Sequence, residues 1–116
     1  MTAPRALRNF INGEFCDARS ERRLDVVNPA TGKIVATAPV SSARDVDDAY
    51  AAAAAAFGEW GRTTPSERQQ ALLKFADAIE ARADEFVTLE GENTGKPHAL
   101  TASEEVLPML DQIRFF

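Results

Sequence analysis

Two side chains in this chain could act as a nucleophile or a general base, and neither has the company it would need. Cys16 is the only cysteine and His98 the only histidine. A reactive thiolate needs electropositive surroundings, yet Cys16 has Asp17 beside it and no histidine near it. It reads as a structural thiol. His98 follows Pro97 in a turn region and reads as a solvated loop residue rather than a base. One histidine cannot assemble a His-based zinc site. No G-x-G-x-x-G, P-loop or G-x-S-x-G sequence is present. Tyr50, Phe57 and Trp60 recur at helical spacing, which is read as core packing before it is read as a cofactor box.

The elements that would position any such groups fall into a β part and a helical part. Asn12-Gly13 between Phe10-Ile11 and Glu14-Phe15-Cys16 predicts a two-residue hairpin, because both tip residues must take positive φ. Leu24, Val26 and Val27 predict a strand ended by Asn28-Pro29. Thr31-Gly32 turns the chain, Ile34–Ala38 resumes β structure, and Pro39 closes it. The expected result is a small antiparallel meander without a partner sheet.

After Ser42 the pattern is helical. Ser42 serves as N-cap with Asp45 at N3. Val46, Ala49, Tyr50, Ala53, Phe57 and Trp60 follow at helical spacing, and Gly61 ends the helix. Thr64-Pro-Ser-Glu67 supplies a capping threonine, a proline at N1 and a glutamate at N3 for the second helix. A third helix is expected from about Ala83, closed by Gly95, with Lys96 at the negative end of the helix dipole. A fourth spans about Leu100 to Phe116, kinked or restarted at Pro108, which lacks a backbone donor.

Length and composition bound the function. The chain has 116 residues, 45% hydrophobic and 27% charged, as in a soluble globular domain. Its net charge is -5 and its arginines are interspersed with acids, so a nucleic-acid surface is not expected. A lone cysteine fits a reducing compartment. There is no apolar stretch of the ~20 residues a membrane span requires, and no signal-peptide core near the start. The expectation is a cytoplasmic protein. The pattern at Phe115-Phe116 stops without a cap or a polar end, so the segment is expected to be incomplete.

The order of motifs is more specific than any one of them. It runs Phe10-Ile-Asn-Gly-Glu-Phe15, Val26-Val-Asn-Pro-Ala-Thr-Gly-Lys33, Val35-Ala-Thr-Ala-Pro39, Asp45-Val-Asp-Asp-Ala49, Ala53–Phe57 with Trp60, Thr64-Pro-Ser-Glu-Arg68, Leu72–Asp77, Ile79–Glu85 and Glu92-Asn-Thr-Gly-Lys-Pro97. This resembles the N-terminal quarter of the NAD-dependent aldehyde dehydrogenase superfamily, over about residues 9 to 116. The resemblance implies an α/β parent fold, of which this segment is an α+β part: an antiparallel hairpin and meander followed by about four helices. Residues 1–8 are an N-terminal tail and 9–116 the incomplete N-terminal part of the cofactor-binding domain.

The resemblance also implies a chemistry. A cysteine attacks the aldehyde to give a thiohemiacetal, hydride passes to NAD, and a glutamate activates water to release the carboxylic acid. None of those residues matches a position here, so the segment alone is expected to be inactive, with the remainder of the dehydrogenase chain as its partner. A homo-oligomer is expected at full length. Asn93 and the ending Glu104-Glu-Val-Leu-Pro108 through Asp111-Gln-Ile-Arg-Phe-Phe116 are most similar to the γ-aminobutyraldehyde dehydrogenases. By that similarity, Glu104 and Glu105 are candidates to meet the cationic end of an aminoaldehyde such as 4-aminobutanal. The other reading makes them first-turn helix glutamates stabilised by the dipole. The family often holds a monovalent cation, which by position would engage Val26, Val27 and Asn93. Asn93 offers an oxygen without a charge, so a structural hydrogen bond to the hairpin is an equal reading. A free-standing helical interaction module, or a truncated product, is the rival from another class.

Overall fold

The structure is a computed structural model that describes residues 4–116. It holds two compact units. The first runs to Val27 and resumes over Gly32–Arg62. The second comprises Asn28–Thr31 and Thr63–Phe116.

The first unit carries two sheets and a helix. Strands β2 (Asn9–Ile11) and β3 (Glu14–Cys16) form the hairpin, with Asn12 at φ 54° and Gly13 at φ 80°. Both tip residues thus have the positive φ that the Asn-Gly pair accommodates. The hairpin's Phe10 and Phe15 stand opposite each other and meet edge to face at 5.1 Å. Strands β4 (Arg23–Val27) and β5 (Ile34–Pro39) pair antiparallel, with a register shift between Val26 and Val27.

One feature departs from the meander read in the sequence. Arg5–Ala6 forms a short strand, β1, paired in parallel with β5, so the sheet order is β1-β5-β4. Arg23 reinforces this pairing. Its Nη2 donates to the carbonyls of Leu7 (2.6 Å) and Thr37 (2.9 Å), and its Nε to the Thr37 hydroxyl.

Helix α1 (Ala43–Trp60) starts at a complete capping box. The Asp45 carboxylate accepts from the Ser42 backbone N–H at 2.7 Å and from the Arg19 backbone N–H at 3.1 Å. Asp45 is nevertheless buried, and these bonds offset the cost of burying a charge. Arg19 also pairs with Asp48 at 2.6 Å, which ties the loop before β4 to the helix.

The expected core role of the α1 aromatics is corrected here. Tyr50 is 74% exposed and Phe57 69%, and Trp60 is also exposed. The sole buried residue of α1 is Asp45. Helical periodicity reports which face is apolar, not whether anything within the chain covers that face.

The second unit is helical. α2 (Pro65–Glu80) opens with its own capping box, Glu67 Oε2 accepting from the Thr64 N–H at 2.6 Å. α3 (Ala83–Thr94) ends on Gly95 at φ 76°. Pro97 then precedes a helical run made of α4 (His98–Thr101), a π turn (Ala102–Val106) and α5 (Leu107–Phe115).

The kink expected at Pro108 therefore takes the form of a π turn just ahead of it. A proline ring crowds the carbonyl four residues back and offers no N–H to it. Widening the preceding turn relieves both problems, and the Leu107 N–H reaches the Ala102 carbonyl instead.

The core of this unit joins Ala76 and Ile79 of α2, Val87 of α3, Val106 of the π turn and Leu110 of α5. Leu110 is 1% exposed. Burying a leucine contributes roughly 1.5–3 kcal/mol. Phe75 and Phe116 face outward, whereas Ile79 is buried and Ile113 packs against the core.

Candidate functional site

The candidate site is the junction between α3 and the last helical run. The sequence reads a stop signal at Gly95-Lys96-Pro97, and the backbone obeys it. The Gly95 N–H donates to the Gly91 carbonyl at 2.9 Å, in the left-handed closure that glycine permits. The Lys96 N–H reaches the Thr94 hydroxyl at 3.3 Å. Pro97 accepts at its carbonyl from the N–H groups of Leu100 and Thr101, both at 3.1 Å, and so starts the next helix. Lys96 is held between two helix ends with its side chain free to reach either.

It reaches both. The Lys96 ammonium forms an ion pair with Glu105 on the π turn and lies 3.6 Å from Glu90 on α3. The Glu105 carboxylate, first, and then Glu90 hold the lysine's pKa above its ordinary value, so the ammonium stays charged. Glu104 is placed differently. It is exposed, and its Oε1 lies 3.2 Å from the Ser103 hydroxyl. Two adjacent carboxylates thus leave the same turn in different company. Neither occupies a first helical turn counted from Pro97, since α4 begins at His98. The macrodipole fades beyond the first turn, which weakens the dipole reading of Glu104 and Glu105.

His98 lies at the start of α4 rather than in a loop, and it is exposed, as expected. Its ring lies over Gly91, where an added Cβ would come within 2.6 Å of it. Cys16 is half-buried at the end of β3 and forms no disulfide. Val26 and Val27 lie on β4 in the first unit, and Asn93 is an exposed residue near the end of α3 in the second.

Among the described residues no group of three or more His, Cys, Asp or Glu is arranged to hold a metal ion. No described helix is long and apolar enough to cross a membrane.

Helix N-termini favour anions such as phosphates, through their exposed N–H groups and the dipole. α1 and α2 have theirs filled by Asp45 and Glu67. α3 carries Asp84 and Glu85 in its first turn. Carboxylates at these helix ends do not fit the phosphates of a dinucleotide.

Fold and site together define an α+β segment: small sheets, then helices joined at an Asn-Thr-Gly-Lys-Pro turn. The chain belongs to the aldehyde dehydrogenase family, whose family model matches residues 15–116. It is 42% identical over 109 residues to aldehyde dehydrogenase 1 of Tanacetum cinerariifolium, covering 92% of this chain and 22% of that protein. Its fold is similar to the crystal structure of lactaldehyde dehydrogenase from Escherichia coli, with a TM-score of 0.92 and 34% identity over 97% of this chain and 24% of that one. It is also similar to an aldehyde dehydrogenase from Bacillus cereus solved as a complex with NAD+, with a TM-score of 0.89 and 32% identity over 95% of this chain and 23% of that one. The chain spans between 12% and 22% of the length of the curated relatives it matches.

The π turn and the Lys96 ion pairs had no sequence signal of their own. The only local pointer to the turn was Pro108. The pairing of Lys96 with Glu105 joins residues nine apart across a helix break, which no periodicity marks.

Proposed function

We propose that this chain is the N-terminal part of an NAD-dependent aldehyde dehydrogenase that oxidises an aminoaldehyde, 4-aminobutanal or a close analogue, to its carboxylic acid. The observation that carries the substrate class is the adjacent carboxylate pair on the π turn, Glu104 and Glu105, with Glu104 exposed. A carboxylate attracts an ammonium, and the more strongly the lower the effective dielectric around the pair. Such a pair gives a neutral aldehyde no advantage. The catalytic cysteine, the water-activating glutamate and the dinucleotide site belong to the rest of the enzyme in this reading. A cytoplasmic homo-oligomer is part of the same proposal.

The test is NADH formation by the full-length enzyme with 4-aminobutanal, betaine aldehyde and butanal. A kcat/KM for 4-aminobutanal at least tenfold above that for butanal supports the reading. Equal values would remove the aminoaldehyde class and leave a dehydrogenase of another aldehyde.

A further inference from the structure

We propose that the turn Asn28–Thr31 is a strap that couples the strand pair β4–β5 to the helix stop at Gly95, so that opening of the helical unit loosens the strands. The chain passes between the two units after Val27, after Thr31 and after Arg62. The first two passages flank this turn. It leaves the first unit at Val27, runs through the second, and returns at Gly32.

What the turn meets in the second unit is Gly95. A Cβ built on Gly95 would come 3.0 Å from Cγ of Pro29 and 3.6 Å from the Ala30 nitrogen. The bare glycine lets the proline ring lie against the backbone of the stop. The same glycine closes α3 at φ 76°. One residue thus both ends the helix and seats the turn.

The turn arrives preformed. The Asn28 side-chain oxygen accepts from the Ala30 N–H at 2.9 Å, and the Asn28 carbonyl accepts from the Thr31 N–H at 3.2 Å. Pro29 has its φ fixed by the ring. Gly32, at φ 68°, brings the chain back toward β5. A segment with so few free torsions transmits a displacement instead of absorbing it. The strand end beside it has little else to hold it. The β4–β5 register shifts between Val26 and Val27, directly before the turn, and such an irregularity interrupts the ladder. Among the described residues of the first unit, Ala36 is the buried apolar side chain, so burial adds little.

Hydrogen exchange of the 116-residue chain, read by mass spectrometry at low micromolar concentration, tests the strap. Leu110→Ala opens the helical core, far in sequence from the strands. It is expected to speed exchange in peptides covering β4 and β5 by about threefold, a modest coupling for contacting groups. Val106→Ala is a smaller deletion in the same core and should act in the same direction if Leu110→Ala unfolds the helices outright. Pro29→Ala is expected to speed the same peptides by itself. The double variant Pro29→Ala/Leu110→Ala should then be no faster than the faster single variant, because the route is already cut. Exchange at the Gly61 N–H, which donates to the Phe57 carbonyl at the end of α1, should stay at its parent rate in Leu110→Ala. Unchanged β4–β5 exchange in both core variants overturns the strap. Effects of Pro29→Ala and Leu110→Ala that multiply overturn it too, since they would be independent. Equal speeding at Gly61 would give the coupling to the link between α1 and α2 and also overturn it.

Discussion

Single residues carry more of this structure than its modest core suggests, and two glycines show why. Gly95 sits at φ 76°, and a Cβ there would come 3.0 Å from Cγ of Pro29. Alanine would meet both the left-handed backbone penalty, about 1 kcal/mol, and a tight contact with a rigid ring. We expect Gly95→Ala to cost the second unit about 1–2 kcal/mol in urea unfolding. Gly58 is the opposite case. It lies inside α1, and an added Cβ would meet nothing within 4 Å. Gly58→Ala should stabilise the first unit by about 0.5–1 kcal/mol, since glycine loses more backbone entropy in a helix. A loss of stability from Gly58→Ala would show that this face of α1 tolerates no added methyl. At the same scale, Leu110→Ala removes the most buried large side chain of the helical core. It should cost roughly 2–5 kcal/mol by the same urea measurement.

Elements start and stop here through charged caps, and that ties the fold to pH. Asp45 is held below its ordinary carboxylate pKa, first by the backbone N–H of Ser42, then by the Ser42 hydroxyl and by Arg19. Glu67 is lowered in the same way by the N–H and hydroxyl of Thr64. A depressed folded-state pKa contributes stability that is fully present above the unfolded value. That stability is lost as pH falls through the folded value. The unfolded values are 3.8 for Asp45 and 4.5 for Glu67, so the caps should weaken on going below about pH 4. Circular dichroism melts from pH 7 to pH 3 should show Tm falling over this range, with a shallower fall in Asp45→Asn. An identical fall in that variant would assign the acid sensitivity to other carboxylates. These caps were legible in the sequence because each is written within four residues: Ser42 to Asp45, Thr64 to Glu67. The hairpin tip at Asn12-Gly13 and the stop at Gly95 were legible for the same reason. The parallel pairing of Arg5 with Ala36 was not, because no local pattern encodes a strand two residues long. The candidate site divides along the same line. Glu104 and Glu105 could be picked out by resemblance, but the countercharge on one of them depends on how Lys96 folds back across a helix break.

At the scale of the whole molecule, the decisive feature is the amount of apolar surface left uncovered. Among the described residues the first unit buries only Ala36 of its apolar side chains, while Phe10, Phe15, Leu24, Tyr50, Phe57 and Trp60 are exposed. Its order therefore rests on strand pairing, the Asp45 cap and the Arg19 and Arg23 hydrogen bonds rather than on burial. The second unit has a small core, yet Leu72, Phe75, Leu100, Leu107, Phe115 and Phe116 remain exposed. Soluble monomers rarely leave contiguous apolar patches of more than a few hundred Å² uncovered. The 116-residue chain taken alone is thus expected to self-associate and to bind a hydrophobic dye. Sedimentation velocity from low to high micromolar concentration should show the mean sedimentation coefficient rising. The α1 face is the more consequential one, because its aromatics are large and closely spaced along one helix. Replacing Tyr50 and Phe57 by serine should reduce association without unfolding the chain, since neither side chain is buried. A concentration-independent monomer that melts in one cooperative step would contradict this. It would mean that the exposed aromatics are too dispersed to act as a patch, and that capping and strand pairing alone suffice to hold the first unit.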